Sequence, residues 1–166
     1  MTSKSTNTTT DKSIKKNYVL IDYENTKVES IKKLNGVQFY IYLFLGPNDT
    51  KIPIELAIEM HAVASRSEFI VLESSGKNAL DFYITYYLGV LSANNPDAYF
   101  HIITKDTGFD SLIKHIRSHK VSITRSSDID EMPCFKQNKK QDTDQPIIDK
   151  IIESARQDLI SAQNNG

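Results

Sequence analysis

Cysteine is almost missing from this chain: Cys134 alone among 166 residues excludes an internal disulfide and any zinc site built on cysteine, and it fits a reducing compartment. Long apolar runs are missing as well. The longest are far too short to cross the hydrocarbon core of a bilayer, and the N-terminal stretch MTSKSTNTTTDKSIKK lacks the apolar centre of a signal peptide. The expectation is a cytoplasmic protein with no membrane partner. Charge of one sign is absent too. With 20 basic residues against 21 acidic ones the net charge is -1, so no global basic field advertises nucleic acid, and any such binding has to rest on a local patch. No internal repeat is visible. Among the four histidines, His61, His101, His115 and His119, no two have metal-ligand spacing, and they read as ordinary surface or core residues.

What is present is an alternation of strand-like and helix-like segments. Residues 1–16 are rich in Ser, Thr and Lys without apolar period and are expected to be disordered. NYVLID is a short apolar strand, and VESIKKL spaces Val28, Ile31 and Leu34 as on a helix. VQFYIYLFL suits a strand buried on both faces. Pro53 at a first helical position opens IELAIEMHAVAS. EFIVLE is a third strand, and NALDFYITYYLGVL carries an apolar stripe of Leu80, Ile84, Tyr87, Leu88 and Leu91. AYFHIIT and KVSIT are strands around the helix GFDSLIKHIRS. This order predicts an α/β fold, a Rossmann-like three-layer α/β/α domain with a central, mainly parallel five-stranded sheet. The domain spans residues 17–135, with SSDIDEMPCF as a loop or a short strand and turn. A charged linker occupies 136–145, and an amphipathic helix at 146–163 aligns Ile147, Ile148, Ile151, Ile152, Ala155 and Leu159. Such a helix is unstable alone and needs to dock on the core, on a second copy as a homo-oligomer, or on another region, which fits a chain that is a piece of a longer protein.

Three aspartates stand where strands give way to helices: Asp22 after NYVLI, Asp81 after ESSGKNAL and Asp106 after HIITK, with Asp110 one helical turn further on. In a parallel sheet the ligand sits beyond the carboxyl ends of the strands, which is where these acids should meet. A structural explanation competes. Thr26 with Glu29, Asn78 with Asp81, and Thr107 with Asp110 match the capping-box pattern, in which the acid serves only backbone N–H groups. That explanation suits Asp81 and Asp110 better than Asp22 and Asp106, which end apolar strands. Four unrelated caps also have no reason to share one sheet edge, whereas clustered carboxylates repel one another and favour a bound cation.

Oxygen ligands without His or Cys select a hard cation, Mg²⁺ or Mn²⁺, as cofactor. Such an ion suits hydrolysis of a phosphodiester. The predicted metal and catalytic set is therefore Asp22, Asp81, Asp106 and Asp110, with Asp110 expected to project toward the same end. Lys77 and Lys105, beside two of the acids, are placed to hold a substrate phosphate, and Asn78 and Thr107 adjoin the same positions. Lys114, Arg117, Lys120 and Arg125 form a candidate phosphate strip. Glu24 either joins the cluster or faces solvent, and Glu55 and Glu59 read as a solvated helix face. Tyr40, Tyr42, Phe44, Tyr86 and Tyr87 fall in periodic runs that read as core rather than as base-stacking surface.

The segments LIDYEN, SSGKNALDFYITYYLG and HIITKDTGFDSLIKHIR resemble the three signature segments of PIN-like nuclease domains, in particular the bacterial branch near the NYN families, over about Asn17 to Arg125. The resemblance implies a metal-dependent nuclease that usually acts on RNA, single-stranded RNA being the expected partner. It assigns Asp22 as the first metal ligand, Asn25 as the polar residue bracing the first loop and contributing to substrate binding, Asp81 as the acid of the third helix and Asp106 as the acid after the fourth strand. Many relatives carry another acid two residues after that last position, where this chain has Gly108. Two other readings stand beside it. Asp22, Lys77 and the Asp106/Asp110 pair imitate haloacid-dehalogenase-like phosphatases, although Glu24 stands where those enzymes place a second Asp and Asp81 has no role there. A PIN-like module that binds RNA or protein without cleaving is the third.

Overall fold

The computed structural model describes residues 14–73, 76–136 and 149–157. Five strands form one all-parallel sheet: β1 (Asn17–Asp22), β2 (Phe39–Leu45), β3 (Ser67–Val71), β4 (Tyr99–Ile103) and β5 (Ser122–Ser126). Their spatial order is β3-β2-β1-β4-β5. The chain builds outward from β1 in one direction and returns to its other side with β4, so the direction of winding switches between β1 and β4. Crevices for ligands open at that switch, beyond the carboxyl ends of the strands.

The helices α1 (Ile54–Ala62), α2 (Ala79–Asn94) and α3 (Phe109–Ser118) cover the two faces. Because strand side chains alternate, Val19 and Ile21 pack with Leu56 and Met60 of α1, while Tyr18 and Leu20 pack with Leu80, Ile84 and Leu88 of α2 and with Ile113 of α3. The result is the three-layer α/β/α domain expected from the alternating pattern, with a sheet that is parallel throughout. In α2 the apolar stripe faces inward as its spacing requires, Leu80, Ile84 and Leu88 being buried and Tyr87 and Leu91 partly so.

Two local expectations need correction. VESIKKL forms no α-helix; only Lys32–Leu34 make a short 3-10 turn. Val28, Ile31 and Leu34 are nevertheless buried, so their spacing reports burial rather than helix. The segment is too short to nucleate a helix by itself, and α1 supplies the missing order. The Glu59 carboxylate accepts from the Ile31 N–H at 2.7 Å and from the Ser30 hydroxyl at 2.8 Å, so Glu59 serves this connection and not a solvated face. Pro53 is the residue before α1, with extended ψ of 140°, and not its first turn. SSDIDEMPCF completes β5 and continues as a 3-10 turn at Ile129–Glu131 that buries Ile129 and Met132.

Residues 1–13, 137–148 and 158–166 lie outside the described residues, and with them most of the predicted tail and linker and both ends of the predicted C-terminal helix. The described part of that helix, 149–157, is helical, with Ile151 and Ile152 exposed. Among the described residues no helix is long and apolar enough to cross a membrane.

Candidate active site at the strand switch

The site is built from the last residue of β1 outward. Asp22 shares the face of Leu20, two residues earlier, and is fully buried at 0% exposure. A buried carboxylate is tolerable only when its oxygens are hydrogen-bonded. Asn25 donates twice, from its backbone N–H to Oδ1 at 3.1 Å and from its amide to Oδ2 at 2.8 Å. The Thr104 hydroxyl donates to Oδ2 at 2.7 Å. The sheet register explains this third bond. Ile103 pairs with Ile21, so Thr104 emerges from β4 directly beside Asp22.

Thr104 reaches further. Its hydroxyl oxygen also accepts the Asp106 N–H at 3.0 Å, so one buried side chain sets both the first acid and the backbone of the second. Asp106 in turn accepts the Gly108 N–H at 2.7 Å. A Cβ at position 108 would lie 3.1 Å from that same oxygen, so glycine here lets the carboxylate fold back against the start of α3. The loop is fastened from the other side by Thr26, whose hydroxyl accepts the Lys105 N–H at 3.0 Å.

Asp81 enters from the first turn of α2 and is half-buried. Burial raises its carboxyl above the ordinary range, and the negative charges of Asp22, Asp106 and Glu24 raise it further. The four acids therefore share one electrostatic neighbourhood. Glu24 belongs to this field although its side chain is exposed, and Gly46 makes room for it: a Cβ there would stand 2.8 Å from Glu24 Oε2.

Asp110 does not belong to that field. Its carboxylate is gripped by the Arg125 guanidinium through Nε at 2.6 Å and a second nitrogen at 3.1 Å, and this pairing holds its carboxyl below the usual range. Arg125 also donates to the Thr104 carbonyl at 3.2 Å. The expectation that Asp110 projects toward the other acids is therefore corrected. Parallel pairing of β4 with β5 brings Arg125 alongside the start of α3, where it pairs with Asp110.

The capping boxes do not form either. Asn78 precedes α2 with a left-handed φ of 60° and Gly108 precedes α3, both without a side-chain cap bond, and Thr107 bonds Asp110 through backbone only. Thr26 opens no helix. Asp81 is thus not engaged as a cap.

Lys77, Asn78, Lys105 and Thr107 are exposed, and Asn78 lines a cavity with Asp81 and Asp106. Lys114, Arg117 and Arg125 line a cavity of about 350 Å³ beside α3, whereas Lys120 lines a different cavity with Lys15 and Lys16, so it drops out of the strip. His101 is buried between Asn17 and Thr124, and burial pushes it down to about 4, which leaves it neutral and structural. Tyr86 is exposed, against the expectation that it is core.

Thr104 and Arg125's grip on Asp110 are the features that sequence reasoning missed. The signal for Thr104 was a hydroxyl two residues before an acid, a spacing at which Ser and Thr commonly accept the i+2 N–H. For Arg125 there was no local signal.

The donor set of these acids is oxygen alone, which fits Mg²⁺ or Mn²⁺ and disfavours zinc. Among the described residues no three acids, histidines or cysteines stand close enough to hold one ion directly. Mg²⁺ usually keeps several waters and binds through one or two carboxylates, so the acids fit it with water completing the shell.

The family model for the PIN domain matches residues 16–126, from just before β1 to the end of β5. The chain belongs to the PIN-domain family. Its sheet and acids thus sit on a nuclease-like fold, one often metal-dependent, and not on the phosphatase scaffold that Asp22, Lys77 and the Asp106/Asp110 pair imitate. No curated protein and no solved structure gives a significant match.

Proposed function

We propose that this PIN domain is a Mg²⁺- or Mn²⁺-dependent endoribonuclease, of the NYN-like kind its motifs resemble, that hydrolyses phosphodiester bonds in single-stranded RNA. The observation that carries this reading is the meeting of acids at the strand switch, where Thr104 ties Asp22 to the backbone of Asp106 and Asp81 lines one cavity with Asp106, so that their like charges repel. Repulsion of this kind has no structural use and is relieved by a cation. Asp22, Asp81 and Asp106 would hold the ion, and Glu24 would add to its field. When bound, the ion supplies a polarised water and neutralises phosphate charge. The chain's own residues supply the rest. Asn25 and Thr104 keep Asp22 oriented by donating to both its oxygens. Lys77 and Lys105 offer cations at the rim, and Lys114 and Arg117 extend the positive side along α3 for neighbouring phosphates.

A second reading has its own support. Gly108 in place of an acid, and the lack of a direct three-acid site among the described residues, favour a module that binds RNA without cutting it. One experiment separates the two. Labelled single-stranded RNA is incubated with the protein with and without Mn²⁺, and with the variant Asp81→Asn. Nuclease function requires Mn²⁺-dependent cleavage that Asp81→Asn abolishes while its melting temperature stays equal or rises, because the substitution removes a crowded charge. Binding without cleavage would establish the second reading.

A further inference from the structure

An aromatic edge borders the acidic site, and neither the core nor the carboxylates account for it. Phe82, next to Asp81 in the first turn of α2, is 69% exposed, and Tyr86, one turn along the same face, is 67% exposed. Leaving two large rings in water forfeits the apolar burial that drives folding, and contiguous exposed apolar surface marks binding sites. A cavity of about 330 Å³ opens here between the first turns of α2 and α3, within the size range of small-molecule sites. Phe82, Phe109 and Leu112 form its apolar wall, and Asp81 and Asp106 form its acidic edge. Asn78 adds an amide that can donate and accept, and Thr85, whose hydroxyl donates to the Asp81 carbonyl at 2.7 Å, adds an acceptor.

The chemistry of this lining selects its occupant. Two carboxylates reject a phosphate from the cavity itself, while an uncharged planar ring finds an aromatic face to stack on and neutral polar groups for its edge. A second cavity beside α3, lined by Lys114, Arg117 and the Arg125–Asp110 ion pair, keeps a net positive charge that suits a phosphate instead.

We propose that the cavity between α2 and α3 takes an unpaired nucleobase stacked on Phe82, next to the carboxylates of Asp81 and Asp106. This deepens the nuclease reading and rests on it, because it names single-strandedness as the property selected: a paired base would first have to leave its duplex stack. Stacking on one aromatic ring is sequence-tolerant, so little base preference is expected.

The test measures binding in EDTA, where cleavage cannot interfere, using an oligouridylate of about ten nucleotides, within the site sizes typical of single-strand binders. The comparison probe has the same backbone with abasic riboses. Phe82→Ala should weaken binding of the oligouridylate by about tenfold, leave the abasic probe unchanged and keep the melting temperature of the wild type, since the ring is exposed. The chain contains no tryptophan, so Phe82→Trp places a single indole at the site, and its fluorescence should be quenched by the oligouridylate and not by the abasic probe. Equal binding of the oligouridylate by wild type and Phe82→Ala, with Asp81-dependent cleavage intact, would overturn the stacking site and leave the nuclease standing. A wild-type dimer dissociated by Phe82→Ala, with no difference between the two probes, would assign the aromatic edge to self-association and overturn the proposal. Failure of the wild type both to bind and to cleave would overturn the nuclease reading and this inference with it.

Discussion

Replacing Thr104 by valine keeps the shape of a fully buried side chain and removes one hydroxyl, which donates to Asp22 Oδ2 and accepts from the Asp106 N–H. A hydrogen bond to an ionised group is worth about 1.5 to 3 kcal/mol, and an orphaned, partly buried N–H adds about 1 kcal/mol, so Thr104→Val should cost roughly 2.5 to 4 kcal/mol. At about 3 °C per kcal/mol for a chain of this size, the melting temperature should fall by about 8 to 12 °C. Urea denaturation at neutral pH measures the loss directly. A double-mutant cycle assigns it: with Asn at position 22 the acceptor is neutral, its bond is worth about 0.5 to 1.5 kcal/mol, and the cost of Thr104→Val should shrink accordingly. Because the hydroxyl also positions the loop carrying Asp106, Mn²⁺-dependent cleavage should fall by about tenfold or more. A variant as stable as the wild type, with no coupling to Asp22→Asn, would refute the claim that Thr104 organises the two acids.

Other outcomes follow from the same geometry. His101, held down to about 4 from an ordinary value near 6.5, is neutral in the folded protein, so its contribution is complete above about pH 6.5 and is lost as pH falls toward 4. At roughly 1.4 kcal/mol per pH unit the loss approaches about 3 kcal/mol, and an NMR titration in which the His101 ring changes charge near pH 6.5 would contradict it. Asp81 acts in the opposite sense. Its raised carboxyl makes the folded state lose stability as pH rises from 3.8 toward its folded value, so Asp81→Asn should be more stable than the wild type at pH 7 and gain less at pH 4, as thermal melts at the two values would show. Asp110→Asn should leave Mn²⁺ affinity, measured by calorimetry, unchanged within about twofold, since Arg125 already occupies that carboxylate; an affinity loss of about tenfold or more would return Asp110 to the metal site.

The five strands, the three helices and the acids at strand ends were all legible in the order of residues, because burial imposes a local period on each segment and that period is written in the chain. The apolar spacing of NALDFYITYYLGVL announced α2 and its buried stripe, but it also read Tyr86 as core, and that ring is exposed. What local pattern cannot carry is which segments become neighbours. The order β3-β2-β1-β4-β5 sets β4 beside β1, and only that pairing brings the Thr104 hydroxyl to Asp22 across 82 residues of sequence. The pairing of β5 with β4 likewise delivers Arg125 to Asp110, an acid that spacing alone had sent to the metal site. At VESIKKL the same limit shows in reverse, where apolar spacing correctly marked three buried residues but Glu59, reaching in from α1, decided their backbone. Sequence determined which residues are buried and which charges stand at strand ends, since those follow from period and polarity. Tertiary structure alone decided which charges face one another, since that depends on strand order and register, and so on contacts between residues far apart in the chain.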